Sequence, residues 1–236
     1  FKKFQIDNIW GIHNWPGVDL GKAVIHKKFA MAGGDIFEVK VSGKGGHAAQ
    51  PHNSNDPIVT LGFIILSLQT IVSRKLDPFS NAVLSITKIK AGSAFNVIPE
   101  TSYLGGTLRS TNKYERNILL DKIKDLVKQT AAVHNCKVEF QINPGYPPTV
   151  NDEKSATVAY NVYEKYFGKK MIDHDCRPTM GSEDFSYMLK EKPGAYIWLG
   201  SGVRSEKLHS PYFDFNDDLL PFGVKYWDCL VRENLK

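Results

Sequence analysis

The stretch DIFEVKVSGKGGHAAQPH, residues 35–52, contains the pattern that decides the fold. Phe37, Val39 and Val41 alternate with polar residues, which is the period of a strand with one buried face. The glycines that follow predict that this strand ends in a tight turn. They also leave His47 exposed and open to close approach, as binding of a polar group requires. A phosphate-binding loop is excluded, because the run does not end in Gly-Lys-Ser or Gly-Lys-Thr.

The residues that follow continue the same unit with further helices and strands. Asp56-Pro57 favours a helix start, and the helix is expected to run to about Lys75. Its apolar residues surround much of its circumference, so deep burial is predicted. Strands are then predicted at 82–89 and 101–109. A capped helix from Asn112 and a last strand at 138–142 follow. This βαββαβ order predicts a ferredoxin-like unit over residues 35–148, with two helices on one face of a four-stranded antiparallel sheet.

Residues 1–34 and 149–236 flank this unit on both sides. We predict that they form one α/β domain into which residues 35–148 are inserted. The second flank is expected to contain a helix at about 152–167, a short strand, a helix from Glu183, a strand at 195–199 and a closing helix from Asp217. The chain enters a strand-like stretch almost at once after Phe1. We interpret this beginning as lying inside a larger fold.

Composition narrows the class of protein. Hydrophobic residues make up 42% and charged residues 23%, as in soluble globular proteins. A net charge of +5, spread evenly, argues against nucleic acid or an anionic membrane as a partner. Three cysteines without Cys-x-x-Cys spacing favour a reducing cytoplasm. No apolar run reaches the roughly 20 residues that a membrane span needs, and no secretory leader is recognised.

Two histidines are placed where a metal ligand could stand. His13 follows the strand-like stretch Ile9–Ile12 and precedes a predicted turn at Asn14-Trp15-Pro16, and α/β proteins often place ligands just after a strand. His209 lies in a predicted loop. Imidazole is a common zinc ligand. For His13, a polar residue that caps the turn is an open alternative; for His209, a structural or surface role is one, since no partner lies near it in the sequence.

Further candidates lie at strand and helix ends. Arg109 ends a predicted strand and could hold a carboxylate with two hydrogen bonds, although an exposed surface arginine is an open alternative. Asn96 lies in a loop, where asparagine often serves only to form the turn. Ser182 is expected to cap the helix from Glu183, and Gly181 with Ser182 could present donors to a ligand there. The sequence contains no Gly-x-Ser-x-Gly elbow and no cysteine in a context that would make it reactive, so nucleophilic catalysis has little support.

Seven motifs in register resemble the metal-dependent amidohydrolases and peptidases of the aminoacylase and carboxypeptidase G family, in its hippurate hydrolase and auxin-conjugate hydrolase branch. The motifs are GIHNWP (11–16), GKGGHAAQPH (43–52), DPI (56–58), NVIP (96–99), GTLR (106–109), MGSEDF (180–185) and HSP (209–211). The resemblance covers essentially the whole chain. It implies a zinc-peptidase-like α/β catalytic domain with an inserted lid that forms a homodimer.

The resemblance also implies a role for each matching residue. It makes His13 and His209 ligands in a site for two divalent metal ions, which could be zinc, manganese, cobalt or nickel. His47 matches the lid histidine that reaches into the partner subunit's site and stabilises the oxyanion. Asn96 and Arg109 match residues that bind substrate, with the arginine on the carboxylate. Gly181 and Ser182 match positions that line the substrate pocket, and Glu183 is expected just behind the metal ligands.

One departure from the family's pattern is large. The family's remaining metal ligands, a Cys-x-His pair and a glutamate, precede the equivalent of His13, and so does the glutamate that acts as general base; none has a counterpart here. We therefore identify an N-terminally truncated amidohydrolase whose intact form hydrolyses N-acyl amino acids. This chain alone is expected to bind metal weakly or not at all and to be inactive. A non-catalytic dimerisation or binding fragment, and an exopeptidase for dipeptides, stay open.

Overall fold

The computed structural model describes residues 3–235. The helices are α1 (Pro57–Lys75), α2 (Lys113–Val133), α3 (Glu153–Phe167), α4 (Phe185–Glu191) and α5 (Leu220–Asn234). The strands are β1 (Ile9–Pro16), β2 (Ala23–Val24), β3 (Phe29–Met31), β4 (Gly33–Ser42), β5 (Gly46–His47), β6 (Ala82–Ala91), β7 (Val97–Ile98), β8 (Thr101–Ser110), β9 (Lys137–Pro144), β10 (Thr149–Val150), β11 (Ile172–Asp173) and β12 (Gly194–Gly202). The predicted mixed α/β class is confirmed.

The contacts of the chain divide it into two compact units. Unit 1 contains residues 3–31, 149–179 and 183–235 of the described chain. Unit 2 contains residues 32–148 together with 180–182. Unit 2 is therefore an insertion into unit 1, and it takes one short additional segment from the later part of the chain.

Unit 2 has the βαββαβ order that the sequence predicts. Its antiparallel sheet has the strand order β6-β8-β4-β9. The inward residues of β4, Phe37, Val39 and Val41, are fully buried against α1 and α2. Alternation along β4 thus identified the buried face of the sheet. Gly106 of β8 lies opposite Phe37, and a Cβ there would come within 2.6 Å of the phenyl ring.

The two helices of unit 2 begin where their caps predict. The Asp56 carboxylate accepts hydrogen bonds from the backbone N–H groups of Ile58 and Val59, and Pro57 occupies the first turn. The Asn112 side chain accepts from the backbone N–H of Glu115. Each cap satisfies donors that a helix start leaves without an intrahelical partner.

The predicted deep burial of α1 is wrong, because only one of its faces is covered. Leu61, Ile64 and Leu68 are buried in the core, whereas Phe63 and Leu66 are 50% and 69% exposed. By length and composition, α1 is also the single helix among the described residues that could cross a membrane, which the sequence-based expectation excluded. A core helix of a soluble protein meets the same test, and α1 does pack its covered face on the sheet of unit 2.

Unit 1 is built around a second four-stranded sheet with the order β1-β12-β2-β11. The two long strands, β1 and β12, run parallel, from Ile9 opposite Gly194 onward. β12 is buried along almost its whole length, and α3 and α5 pack their apolar faces near it. A separate short pair joins β3 to β10. β1 lies at the edge of the sheet, and all eight of its residues are half-buried.

Two local predictions for unit 1 are wrong. The predicted turn at Asn14-Trp15-Pro16 belongs to β1, because these residues pair with β12, so His13 lies within the strand and not after its end. Helix α4 begins at Phe185 after an Asp184 cap position, and Ser182 does not cap it. In β1, pairing with a distant strand overrides the local preference for a turn.

Candidate active site

His13 is half-buried in β1, with its ring held by a backbone hydrogen bond. Its Nδ1 lies 2.6 Å from the carbonyl oxygen of Asn14. A carbonyl oxygen only accepts, so Nδ1 carries the hydrogen and the neutral ring has its lone pair on Nε2. Trp15 and Tyr196 contact the imidazole edge-on, with ring centroids at 5.9 and 6.3 Å. A histidine that donates through one nitrogen to a carbonyl and offers the other is the form that binds metals.

Glu183 lies in the same unit and is held by Tyr196. The Tyr196 hydroxyl donates to Glu183 Oε2 over 2.5 Å, and the backbone N–H of Phe185 donates to Oε1 over 3.3 Å. Burial would raise the pKa of the Glu183 carboxyl, but the hydrogen bonds from Tyr196 and Asp184 and the nearby His13 outweigh it, and this pKa lies below its ordinary value. Burial and the adjacent carboxylate raise the pKa of Tyr196. Glu183 is therefore an anion that a neutral tyrosine orients.

A cavity of about 360 Å³ opens beside His13 in unit 1. Its lining is mostly apolar and comes from β1, β12, α5 and the loop before α5: Ile12, Leu199, Phe215, Leu219, Leu220, Gly223, Val224 and Trp227. His13 and Asn14 supply its polar groups. An apolar cavity with a few polar groups is the usual form of a site that binds a small molecule.

His209 lies in an exposed turn of unit 1. Its φ is +66°, a left-handed conformation that histidine adopts more readily than most residues other than glycine. The backbone N–H of Ser210 donates to the Lys207 carbonyl over 3.1 Å and closes the turn around it. The turn presents the imidazole to solvent and does not bury it.

The residues present do not complete a metal centre. Among residues 3–235, no three His, Cys, Asp or Glu side chains form a group that could hold a metal ion. Catalytic zinc usually takes three protein ligands and a water molecule. His13 has the right ring form for one ligand, but His13 and His209 alone do not fit the two-metal site that the resemblance implies.

In unit 2 the structure brings His47 and Asn96 together. β5 pairs with β7, so His47 lies opposite Val97, and the N–H of Ala48 donates to the Asn96 carbonyl over 3.0 Å. The backbone N–H of Ala49 donates to His47 Nδ1 over 3.1 Å. Nδ1 therefore accepts, and the neutral ring carries its hydrogen on Nε2. His47 is exposed and offers a donor, the opposite tautomer to that of His13.

Arg109 and Ser182 also meet in unit 2, at Gly34. Arg109 lies opposite Gly34 in the β4–β8 register. Within the described part of the chain, its guanidinium makes one long hydrogen bond, from Nη1 to the Leu108 carbonyl at 3.4 Å. The Ser182 hydroxyl is buried and has no hydrogen-bond partner among the described residues. Gly181 precedes it in an exposed position. Together the guanidinium and the hydroxyl suit a small anion.

Sequence reasoning missed two residues of these clusters. Tyr196 gave no signal, because it lies in an apolar strand and its contact with Glu183 depends on tertiary packing. Gly34 also escaped notice, although Gly33-Gly34 ahead of a strand was visible in the sequence. A glycine inside a strand can mark a close approach of another group, and that was the available signal.

Comparison with known proteins gives one consistent answer. The sequence profile of peptidase family M20/M25/M40 matches residues 1–233. The chain is 36% identical over 241 residues to IAA-amino acid hydrolase ILR1-like 2 of Arabidopsis thaliana, which covers 98% of this chain and 54% of that protein. It is 34% identical to hippurate hydrolase of Campylobacter jejuni, over 100% of this chain and 61% of the relative. The chain thus spans about half to three-fifths of these relatives.

Solved structures agree with the sequence relatives. A candidate aminohydrolase from methicillin-resistant Staphylococcus aureus superposes with a TM-score of 0.88 at 29% identity, over 98% of this chain and 60% of that one. The Bacillus subtilis YXEP protein, described as a dinuclear metal binding peptidase from the M20 family, superposes with a TM-score of 0.79 at 28% identity. This match covers 95% of this chain and 56% of the other.

Proposed function

Because the chain belongs to peptidase family M20/M25/M40, we propose that it is part of a metal-dependent hydrolase that cleaves the amide bond of N-acyl amino acids. One observation carries the proposal. Relatives named IAA-amino acid hydrolase, hippurate hydrolase and N-acetylcysteine deacetylase match 98%, 100% and 98% of this chain. All three names describe hydrolysis of an amide between an acyl group and an amino acid.

The residues of unit 2 suit recognition of such a substrate. Among residues 3–235, the Arg109 guanidinium donates one hydrogen bond, at 3.4 Å, which leaves its other donors available for the free carboxylate of an N-acyl amino acid. His47 carries its hydrogen on Nε2, so it can donate to the oxyanion that forms when the amide carbonyl is attacked. Asn96 lies beside His47 and is proposed to hold the substrate, and Gly181 with Ser182 to line its pocket.

His13 and His209 are proposed as two of the ligands for the metal ions of the whole protein. Since they do not complete a site, we expect the 236-residue chain alone to bind zinc or manganese weakly and to show no turnover. Calorimetric titration of this chain with zinc and with manganese tests the expectation. Tight, stoichiometric binding of either ion would contradict it.

We also propose that the protein forms a homodimer through unit 2, which would act as the lid. The exposed face of α1 supports this, because it is apolar: Ile58, Val59, Phe63 and Leu66 are between 43% and 69% exposed. Strand β6 is an edge strand with exposed Val83 and Ile89, and such edges readily pair with a second chain. A cytoplasmic location is proposed because all three cysteines are unpaired. No role in binding nucleic acid or a membrane is proposed.

The test is an assay of the protein purified from its own source cells, together with its intact mass. We expect release of the amino acid from N-benzoylglycine and N-acetyl amino acids, and little cleavage of dipeptides. Arg109→Ala is expected to raise KM for these substrates about tenfold or more, since it removes a charged hydrogen-bonding group. Arg74→Ala, an exposed arginine at the end of α1, is the matched control and should leave KM unchanged. Cleavage of dipeptides alone would instead support the exopeptidase alternative.

A further inference from the structure

Gly34 is a glycine without a backbone reason to be one. It lies in β4 within the regular β4–β8 pairing, and its φ is not in the left-handed region, unlike that of Gly17, Gly21, Gly92, Gly168 and Gly202. Glycine in a strand weakens it relative to other residues, because it packs no side chain. The reason for a glycine at position 34 must therefore be that other groups occupy the space that a side chain would take.

Two polar side chains occupy that space. A Cβ built on Gly34 would lie 2.4 Å from Arg109 Nη1, 3.0 Å from Arg109 Cζ and 2.9 Å from Ser182 Oγ. All three atoms belong to the ends of side chains. The neighbouring glycines differ, because a Cβ at Gly33 would meet Pro148 and the Tyr146 carbonyl oxygen, and a Cβ at Gly145 would lie 2.2 Å from the Gly34 carbonyl oxygen. Those two glycines admit neighbouring parts of the fold, whereas Gly34 admits a guanidinium and a hydroxyl.

Among the described residues, the two groups together make a single, long hydrogen bond to the protein. Arg109 donates to one backbone carbonyl at 3.4 Å, and the buried Ser182 hydroxyl has no hydrogen-bond partner among the described residues. Leaving a buried hydroxyl without a partner is unfavourable, and native proteins usually reserve such groups for a water molecule or a ligand. Since both groups approach the same point, one small anion can contact both.

We propose that Gly34 is a specificity-determining residue, whose missing side chain lets Arg109 and Ser182 together hold the free carboxylate of an amino-acid substrate. This inference rests on the proposed hydrolysis of N-acyl amino acids and adds a residue to it. A methyl group at position 34 would push the guanidinium and the hydroxyl apart. Because both are ends of flexible side chains, they can move without loss of the fold. The substitution would therefore change which ligand binds and leave stability nearly unchanged.

The experiment compares Gly34→Ala with the unsubstituted 236-residue chain. The probes are N-benzoylglycine and N-benzoylglycinamide, which differ only in the carboxylate, and each is titrated while the Arg109 Nε–H signal is followed by NMR. Gly62→Ala is the matched control, because a Cβ there meets nothing within 4 Å. Ser182→Ala is a second variant, and it removes a hydroxyl that has no partner to lose. Thermal unfolding of every variant reports on the fold.

We expect the unsubstituted chain and Gly62→Ala to prefer the carboxylate probe by about tenfold, in line with a hydrogen-bonded charge pair. Gly34→Ala should lose most of that preference at an unchanged melting temperature, and Ser182→Ala should lose part of it. If Gly34→Ala keeps the full preference, the inference is overturned while the proposed function stands. If the unsubstituted chain shows no preference, the inference is overturned, and so is the proposal that Arg109 binds the substrate carboxylate. Amide hydrolysis is tested separately, by the assay of the protein from its source cells. If Gly34→Ala lowers the melting temperature as well, an unchanged preference in Ser182→Ala overturns the inference.

Discussion

The two units differ in how well their interiors satisfy polar groups. Among the described residues, the buried side-chain atoms without a hydrogen-bond partner in unit 1 are Asn14 Nδ2, His26 Nε2, Thr149 Oγ1, Trp198 Nε1 and Ser201 Oγ. Unit 2 has one such atom, Ser182 Oγ, and it lies beside Gly34 together with the Arg109 guanidinium. The core of unit 2 is a closed apolar layer between a sheet and two helices. In unit 1, a mostly apolar cavity opens beside β1 and β12.

This difference implies that unpartnered polar groups cost unit 1 stability that unit 2 loses to a smaller extent. An unpartnered buried polar group costs about 1–3 kcal/mol. The stacked Trp15 and Trp198 rings, 3.8 Å apart, offset part of that cost in unit 1. Three pairs of substitutions test the contrast.

The largest effect is expected from truncating matched leucines. Leu104 is fully buried in unit 2, and Leu199 is 1% exposed in unit 1 but lines the cavity beside His13. Leu104→Ala should lower the free energy of unfolding by about 4 kcal/mol and Leu199→Ala by about 2–3 kcal/mol, because neighbours of an existing cavity have fewer contacts to lose. Urea unfolding measures both.

Separate optical probes assign each loss to its unit. All four tryptophans, Trp10, Trp15, Trp198 and Trp227, lie in unit 1, so their fluorescence follows unit 1 alone, while far-ultraviolet circular dichroism follows both units. Leu104→Ala should shift the dichroism transition more than the fluorescence transition. Equal costs for the two substitutions would refute the contrast in packing.

A smaller effect of opposite sign is expected from two buried threonines. Thr60 in unit 2 donates to the Asp56 carbonyl over 2.8 Å, and Thr149 in unit 1 has a hydroxyl without a partner; both residues are fully buried. Thr60→Val should therefore lower the free energy of unfolding by about 1 kcal/mol, and Thr149→Val should raise it by up to about 1 kcal/mol. Differential scanning calorimetry compares them. A loss of stability in Thr149→Val would mean that an ordered water molecule satisfies its hydroxyl.

The smallest effect concerns pH. Burial lowers the pKa of His26, whose ring packs edge-on against Trp198 with centroids 4.9 Å apart. Below about pH 6.5 the unfolded chain binds a proton there that the folded chain does not, so stability falls as the pH drops from about 6.5 and levels off below the lowered pKa. His26→Gln should remove this slope. The control His52→Gln, at an exposed site, should keep it, and equal slopes in all three proteins would refute the prediction.

Most of unit 2 could be predicted from the sequence, because its signals are local. Alternation along β4, the Asp56 cap and the Asn112 cap each lie next to the element that they define. What failed depends on distant residues. The exposed face of α1 looks like the buried face in the sequence, since both are apolar, and only the position of the sheet tells them apart.

The candidate site was less accessible to sequence reasoning, for the same reason. The extension of β1 beyond His13 follows from pairing with β12, and Pro16 in particular reads locally as a turn. The approach of Arg109 to Gly34 follows from the β4–β8 register and from the loop that carries Ser182. The proposed roles of His13, His47, Asn96, Arg109, Gly181, Ser182 and His209 stay predictions, and the substitutions at Arg109 and Ser182 test the carboxylate-binding part of them.

The insertion of unit 2 has a consequence for how the chain acquires its fold during synthesis. The first and last strands of unit 2 are neighbours, since Asp35 of β4 lies opposite Pro144 of β9, and Gly34 donates to the Tyr146 carbonyl. Almost all of unit 2 leaves the ribosome before β10, and domains tend to fold as they emerge. Once folded, it holds its two ends close together, so the pairing of Met31 with Thr149 closes a short loop in place of a very long one. Folding of the inserted unit thus brings the two separated parts of unit 1 close enough together to pair.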